Sequence, residues 1–145
     1  DRAAELEADG VEVVGFDELL RRSDVLSLHV PLTPETRGLI DERALATMRP
    51  GGYLVNVSRG GVVDHGALGA ALRSGHLAGA AVDVLPNEPP APDDPILQFP
   101  NLVITPHAAW YSPQVARTLA EQSARNVAAV LTGASPVGVV APPGM

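Results

Sequence analysis

The sequence predicts an α/β fold in which helices cover both faces of a parallel β-sheet. Two observations lead to this prediction. Helix-like and strand-like segments alternate along the 145 residues, and the strand-like segments are almost continuously apolar, as expected of buried parallel strands. The chain is long enough for one domain with its own core. Because only 3% of the residues are aromatic, that core must be built mainly from Ala, Val and Leu.

Capping residues, prolines and glycines divide the sequence into short elements. Asp9-Gly10 is typical of a helix end, Pro31 cannot continue a strand, and Asp41 and Asp64 are typical helix N-caps. These signals predict, in order, a helix over 1–8, a strand over 11–14, a helix over 16–22, a strand over 25–30, a capped first turn at 33–35, a helix from Asp41 to Met48, a strand over 53–57, a helix from Asp64 to Ser74, a strand over 78–84, a surface loop over 86–95, a strand over 102–104 and a helix over 113–131.

Polar side chains follow the predicted strands at one edge of the sheet. His29 ends one strand, Arg59 follows the next, Asp83 ends the third and His107 follows the last, while Glu88 lies in the proline-rich loop. In an open parallel sheet, ligands bind in the crevice beyond the carboxyl ends of the strands. The sequence therefore predicts a ligand site at this edge.

Each of these residues, taken alone, also has a purely structural explanation. Arg59 could pair with a surface carboxylate, although Gly60-Gly61 allows a close backbone approach that a surface pair does not need. Glu88 alone is better explained as loop charge, and His107 alone as a turn histidine.

The combination of these residues is what indicates chemistry. An arginine grips a carboxylate through two hydrogen bonds, a histidine exchanges a proton near neutral pH, and a glutamate beside it favours the imidazolium and orients the ring. Such a set suits the reduction of a 2-oxo acid to a 2-hydroxy acid with hydride from a cofactor.

Four segments, in order, resemble the D-isomer-specific 2-hydroxyacid dehydrogenases. They are SLHVPLTPETRGLID at 27–41, MRPGGYLVNVSRGGVVDHGAL at 48–68, GAAVDVLPNEP at 79–89 and NLVITPHAAW at 101–110. The second is a long and specific match to the family's arginine signature, and the resemblance covers nearly the whole chain. It implies a Rossmann-like, doubly wound parallel sheet, and an NAD-dependent oxidoreductase that acts on 2-hydroxy or 2-oxo acids of D stereochemistry.

The resemblance also implies roles for single residues. Arg59 would grip the substrate carboxylate, Glu88 would pair with the histidine, and His107 would be the general acid/base. Asp83 would contact the nicotinamide carboxamide region. The residues implied in cofactor binding are His29, Val30, Pro31, Thr33, Val57, Ser58, Arg59, Asp83, His107 and Ala109. The expected cofactor is NAD, with NADP as the other option.

The segment HAAWYSPQ at 107–114 departs from the commonest family pattern, in which Ile-Gly follows the histidine. It resembles the branch that contains the C-terminal-binding-protein corepressors. Trp110 would then lie over the substrate side chain, in a pocket shared with Arg59, and the substrate would carry an apolar or bulky group. The alternative is that Trp110 is an ordinary packing aromatic. The same segment supports a second hypothesis, an NADH-sensing interaction protein that uses the same fold.

The family's Gly-x-Gly-x-x-Gly fingerprint and the first two strands of its dinucleotide fold are not found in the sequence. We therefore expect residues 1–131 to be the C-terminal part of a dinucleotide-binding domain, with the helix over 113–131 packing toward a substrate domain and 132–145 forming a tail. Residues 25–30 would then expose an open hydrophobic edge, which favours pairing with another chain. Alone, this segment is not expected to be a stable, cofactor-competent monomer.

Composition restricts the partners. The net charge of -7 argues against binding to nucleic acid or anionic membranes, and no apolar run is long enough to span a bilayer. There is no cysteine, so disulfide and thiolate chemistry are excluded and the cytoplasm is the expected location. No spacing of His, Asp and Glu suggests a metal site. The resemblance implies a small 2-oxo or 2-hydroxy acid as substrate and a homodimer formed through the cofactor domain.

Overall fold

A computed structural model of the chain describes residues 2–140, and these residues divide between two compact units, Asp1–Ala109 and Trp110–Met145. The elements are α1 (Arg2–Ala8), α2 (Phe16–Arg22), β1 (Val25–Leu28), α3 (Glu42–Thr47), β2 (Gly52–Asn56), α4 (His65–Arg73), β3 (Leu77–Val82), β4 (Leu102–Ile104) and α5 (Pro113–Leu131), with short 3₁₀-helices at Gly60–Val62 and Pro95–Gln98. None of the helices along these residues is both long and apolar enough to cross a membrane.

The four strands form one parallel sheet in the order β1-β2-β3-β4. Leu26 pairs with Leu54, Leu54 with Ala80, and Ala80 with Leu102, so one row of apolar side chains runs across the sheet. Because all strands point the same way, their carboxyl ends lie at one edge. The predicted α/β fold with a parallel sheet is confirmed.

Helices α2, α3 and α4 pack on one face of this sheet. Leu20 of α2, Leu45 of α3 and Leu68 of α4 are buried in a single core with Leu54 of β2. Burying one such leucine contributes about 1.5–3 kcal/mol. Asp41 and Asp64 cap α3 and α4 as predicted, because each side chain accepts a hydrogen bond from a backbone N–H in the first turn.

The opposite face of the sheet exposes apolar side chains. Val25, Tyr53 and Val103 are 58%, 50% and 61% exposed. Within the unit Asp1–Ala109, the helices α2, α3 and α4 that join the buried core therefore all lie on the other face of this part of the Rossmann-like sheet. Parallel connections are right-handed in nearly all proteins, so strands laid down in chain order place successive helices on the same face. Alternation of elements along the chain does not reveal this order.

Residues 11–14 were predicted as a strand but form none. The Val11 N–H donates to the Leu6 carbonyl at the end of α1, and the Val11 and Val13 side chains are about half exposed. A short β-like run becomes a strand only when a neighbour supplies a hydrogen-bonded ladder.

The sheet places β1 at its edge, as predicted, and within the described residues β1 pairs with β2 alone.

The turn predicted at 33–35 does not continue into a helix. The Arg37 N–H donates to the Thr33 carbonyl, which closes a single turn, and the chain then forms an isolated parallel bridge between Ile40 and Val63. The strands predicted over 25–30 and 78–84 end earlier, at Leu28 and Val82. Their last residues belong to the loops that carry the candidate site.

The second unit consists of α5 and the segment after it. Ser112 caps α5 by accepting a hydrogen bond from the Val115 N–H, and Pro113 occupies the first turn, as predicted. The segment after the helix folds back on it, because the Asn126 side chain bonds to both the N–H and the carbonyl of Val137. The assignment of α5 to a contact with a substrate domain stays a prediction. Asp1 of the predicted first helix and residues 141–145 of the predicted tail lie outside the described residues.

Candidate active site

The loops after the four strands carry the predicted residues to the carboxyl edge of the sheet, where they line two clefts. His29, Val30, Pro31, Val57, Ser58 and Arg59 line one cleft together with Leu32. Asp83, Glu88 and His107 line the other, together with Leu85, Pro89, Pro90, Ile104, Thr105 and Pro106. Thr33 and Ala109 line neither cleft. Trp110 belongs to the second unit.

His107 and Glu88 are in direct contact. The His107 Nδ1 lies 2.7 Å from the Glu88 Oε2, and the Glu88 Oε1 accepts a hydrogen bond of 2.8 Å from the Leu85 N–H. The hydrogen bond with His107, helped by that from Leu85, lowers the pKa of Glu88. An ionised carboxylate only accepts hydrogen bonds, so Nδ1 carries the proton in this pair. The pair remains open to a ligand, since the two side chains are 44% and 39% exposed.

The backbone of His107 has an unusual conformation. Its φ is 54°, in the left-handed region, which residues other than glycine rarely adopt. The His107 N–H donates to the Thr105 carbonyl at 3.0 Å, which closes a tight turn. Such a conformation persists only where the surroundings fix it, and it is concentrated at functional sites.

Asp83 is a buried carboxylate beneath this turn, with 4% of its surface exposed. Its Oδ1 accepts from the Ala108 N–H at 2.9 Å and from the Thr105 hydroxyl, and its Oδ2 accepts from the Ala109 N–H at 2.8 Å. Burial raises the pKa of Asp83, but the hydrogen bonds from Thr105, Ala109 and Ala108 outweigh it and the pKa is lowered. Asp83 is therefore ionised at neutral pH.

Arg59 is held by the turn that follows β2. The Asn56 side chain, fully buried at the end of the strand, donates to the Arg59 carbonyl at 3.0 Å and accepts from both the N–H and the hydroxyl of Ser58. The Arg59 Nη1 donates to the Ser58 carbonyl at 2.7 Å. Among the described residues Arg59 forms no ion pair with a carboxylate, which removes the main support for the surface-pair explanation. Asn56 is not among the site residues predicted from the sequence, where the signal for it is an amide at the end of an apolar strand.

Gly60 brings the arginine loop against the glutamate loop. A Cβ atom at Gly60 would lie 2.1 Å from the carbonyl carbon of Leu85 and 2.4 Å from the Pro86 nitrogen. Only glycine fits so close to another backbone, and of the two glycines predicted to allow such an approach it is Gly60 that makes it. The contact fixes the spacing between the loop that follows Arg59 and the loop that carries Glu88.

The cleft beside His29 has the properties of a nucleotide site. Its volume is about 680 Å³, which lies within the range of small-molecule and cofactor sites. It opens beyond the carboxyl ends of β1 and β2, where this sheet type binds dinucleotides. The His29 Nε2 lies 2.8 Å from the Ser27 hydroxyl, so the ring is oriented at the rim. These residues fit a nicotinamide dinucleotide. Within residues 2–140 no three His, Cys, Asp or Glu side chains are grouped as metal ligands.

Known proteins are similar to this chain in sequence and in fold. Residues 1–109 match the family described as D-isomer specific 2-hydroxyacid dehydrogenase, NAD binding domain. A glyoxylate reductase of Thermofilum pendens is 45% identical over 130 residues, which are 90% of this chain and 38% of that protein.

Two crystal structures extend the similarity to the fold. A D-lactate dehydrogenase from Aquifex aeolicus, complexed with NAD and lactic acid, superimposes with a TM-score of 0.82 at 36% identity, over 89% of this chain and 43% of the other. A D-isomer specific 2-hydroxyacid dehydrogenase from Xanthobacter autotrophicus, in complex with NADPH and MES, gives 0.79 at 38% identity, over 92% and 56%.

The chain thus spans about two fifths of the length of the curated glyoxylate reductase that it matches. The predicted cofactor agrees with the matched family, whose domain binds NAD, and one structural relative holds NADPH. The more specific resemblance to the corepressor branch stays a prediction. The chain belongs to the D-isomer specific 2-hydroxyacid dehydrogenase family, and its residues 1–109 match the NAD-binding domain of that family.

Proposed function

We propose that the full-length protein is an oxidoreductase that interconverts a 2-oxo acid and the corresponding D-2-hydroxy acid with NAD(H). The observation that carries the proposal is the 2.7 Å contact between the His107 Nδ1 and the Glu88 Oε2, in a cleft at the carboxyl edge of the sheet. A histidine oriented by a carboxylate is the arrangement expected of a general acid/base. Family membership gives this pair its chemical context.

His107 supplies the proton in this proposal. Because Glu88 engages Nδ1, Nε2 is the nitrogen assigned to exchange a proton with the substrate oxygen. During reduction the protonated ring donates from Nε2 to the carbonyl oxygen, and Glu88 stabilises the imidazolium that precedes this step. During oxidation the neutral ring removes the hydroxyl proton. When bound, the nicotinamide cofactor supplies or accepts the hydride.

Arg59 positions the substrate carboxylate. The guanidinium offers paired N–H donors whose geometry matches a carboxylate, and lysine cannot reproduce this fork. His29, Val30, Pro31, Val57 and Ser58 would hold the cofactor along the neighbouring cleft. We carry over the roles implied for Thr33, Asp83 and Ala109 in cofactor binding as further parts of the proposal.

Trp110 is proposed to contact the substrate side chain. Trp110 packs edge-to-face on Tyr111, with ring centroids 5.7 Å apart. Aromatic rings of this kind carry a large apolar surface that suits contact with an apolar group. The homodimer, the cytoplasmic location and the NADH-sensing alternative stay predictions.

The proposal is tested by assaying the full-length protein against a panel of 2-oxo acids with NADH and with NADPH. Arg59→Lys should raise the KM for the 2-oxo acid at least about tenfold, because one charge-assisted hydrogen bond to the substrate carboxylate is lost. Arg43→Lys is the matched control, since Arg43 is exposed and contacts Asp17 far from the site in sequence. A protein that binds NADH but turns over no 2-oxo acid would refute the proposal.

A further inference from the structure

We propose that Asp83 is a positioning residue, which holds the loop over residues 105–109 in the conformation that presents His107 to Glu88. The role of Asp83 in the conformation of this loop does not depend on the proposed function. Only the effect of Asp83 on turnover rests on that function. The resemblance assigns Asp83 to the cofactor, whereas the contacts in the structure point to the histidine loop.

Three donors of the loop converge on this carboxylate. They are the consecutive N–H groups of Ala108 and Ala109 and the hydroxyl of Thr105, on either side of His107. Successive backbone N–H groups that face an anion form a concave site, and hydrogen bonds to a charged acceptor are the strong ones. Both carboxylate oxygens are therefore engaged by the segment that carries the histidine.

Burial of side chains does not hold the loop in its conformation. All five residues from 105 to 109 are exposed, so side-chain burial does not fix them. His107 nevertheless keeps a φ of 54°, which requires support from the surroundings. The supports visible in the structure include the buried carboxylate below the turn, the contact between His107 and Glu88, and the backbone bonds that join Thr105 to Val82 and His107 to Thr105.

Asp83 is itself fixed to the sheet. It directly follows β3, and its N–H donates to the Asn56 carbonyl at 2.9 Å. Asn56 also holds the turn that carries Arg59. Asn56 therefore fixes the turn that carries Arg59 relative to β2. Asp83 fixes the loop that carries His107 relative to β3. Asp83 acts on the reaction through His107, whatever contact it also makes with a cofactor.

The test uses Asp83→Asn in the full-length protein. An amide keeps one acceptor oxygen, so it cannot receive the donors at both Oδ1 and Oδ2. Amide hydrogen exchange of Ala108 and Ala109 should accelerate about tenfold or more, because a hydrogen bond to a charged group is lost. The kcat at saturating NADH should fall by up to about 10²-fold through misplacement of His107. Asp93→Asn, which removes an exposed carboxylate from the nearby proline-rich loop, should change neither.

Thr105→Val is the second variant, in case Asp83→Asn does not fold. It removes one donor, keeps the buried charge, and should accelerate exchange at the same amides to a smaller extent. Unchanged exchange at Ala108 and Ala109 in the folded variants would overturn the proposal. Weakened NADH binding with unchanged exchange would assign Asp83 to the cofactor instead. A wild-type protein without dehydrogenase activity would refute the proposed function, while the exchange rates would still decide the role of Asp83.

Discussion

Replacing Gly60 by alanine places a methyl group where two backbones already touch. The added Cβ would lie 2.1 Å from the Leu85 carbonyl carbon, 2.3 Å from its oxygen and 2.4 Å from the Pro86 nitrogen. Carbon atoms in contact prefer about 3.5 Å, so the two loops must separate by roughly 1.4 Å. No side chain can yield instead, because all three atoms belong to the backbone.

This separation should impair both stability and turnover. Overpacking of this kind costs about 1–3 kcal/mol in the free energy of unfolding. Gly60 follows Arg59, and the Leu85 N–H holds the Glu88 carboxylate, so the movement displaces two groups of the proposed site. A misplacement of about 1 Å can cost about 10²-fold in rate, and we expect a loss of that order in kcat/KM.

The neighbouring glycine supplies the matched control. A Cβ at Gly61 would meet the Leu32 Cδ2 and Cδ1 atoms at 3.1 and 3.3 Å and the Arg37 Nη1 atom at 3.5 Å, and the ends of these two side chains can move. Both variants should be compared by urea denaturation and by steady-state kinetics in the full-length protein. Equal stability and turnover of Gly60→Ala and Gly61→Ala would refute the inference that the contact at Gly60 fixes the spacing of the two loops.

Three further substitutions test other parts of the structure. The pKa of Glu88 is lowered from 4.5 by its hydrogen bond to His107, so Glu88 is an ionised acceptor above pH 4.5 and loses its charge only as the pH falls below that value. The pH profile of kcat/KM should show this acid limb in the wild type, and Glu88→Gln should remove it; identical profiles would contradict the pairing. Burial lowers the pKa of His65 from 6.5, so the unfolded chain takes up the proton first and stability should drop as the pH falls below 6.5. Urea denaturation at several pH values should show that His65→Gln weakens this dependence of stability on pH. The same pH dependence in the wild type and in the variant would contradict the prediction. Asp64→Ala removes the acceptor of the Ala67 N–H and should cost about 1 kcal/mol by the same method, while an unchanged midpoint would argue against the cap.

Local signals in the sequence were enough for most elements. Asp41, Asp64 and Ser112 are N-caps in the structure because the side-chain oxygen and the N–H that it accepts from lie three residues apart. The parallel sheet follows from alternating helices and apolar strands. Residues 11–14 show where local signals fail, since a β-like run cannot indicate whether a neighbouring strand is there to pair with it.

The site depended on contacts that the sequence does not encode locally. Strand ends and the family resemblance indicated Arg59, Glu88 and His107, and the structure brings Glu88 and His107 within hydrogen-bonding distance. The roles of Asn56 and Asp83 as anchors of the two loops required the register of β2 beside β3. Such hydrogen bonds join residues far apart in sequence, and composition or periodicity cannot reveal them.

The most direct test of the proposed function follows one deuterium atom. The full-length protein is mixed with a 2-oxo acid and NADH deuterated at the transferring C4 position, and the product is analysed by chiral chromatography and mass spectrometry. We predict a D-2-hydroxy acid that carries the deuterium at C2, in an amount equal to the NADH consumed. A product of L configuration, or NADH oxidation without label at C2, would contradict the assignment of this site to D-2-hydroxyacid chemistry.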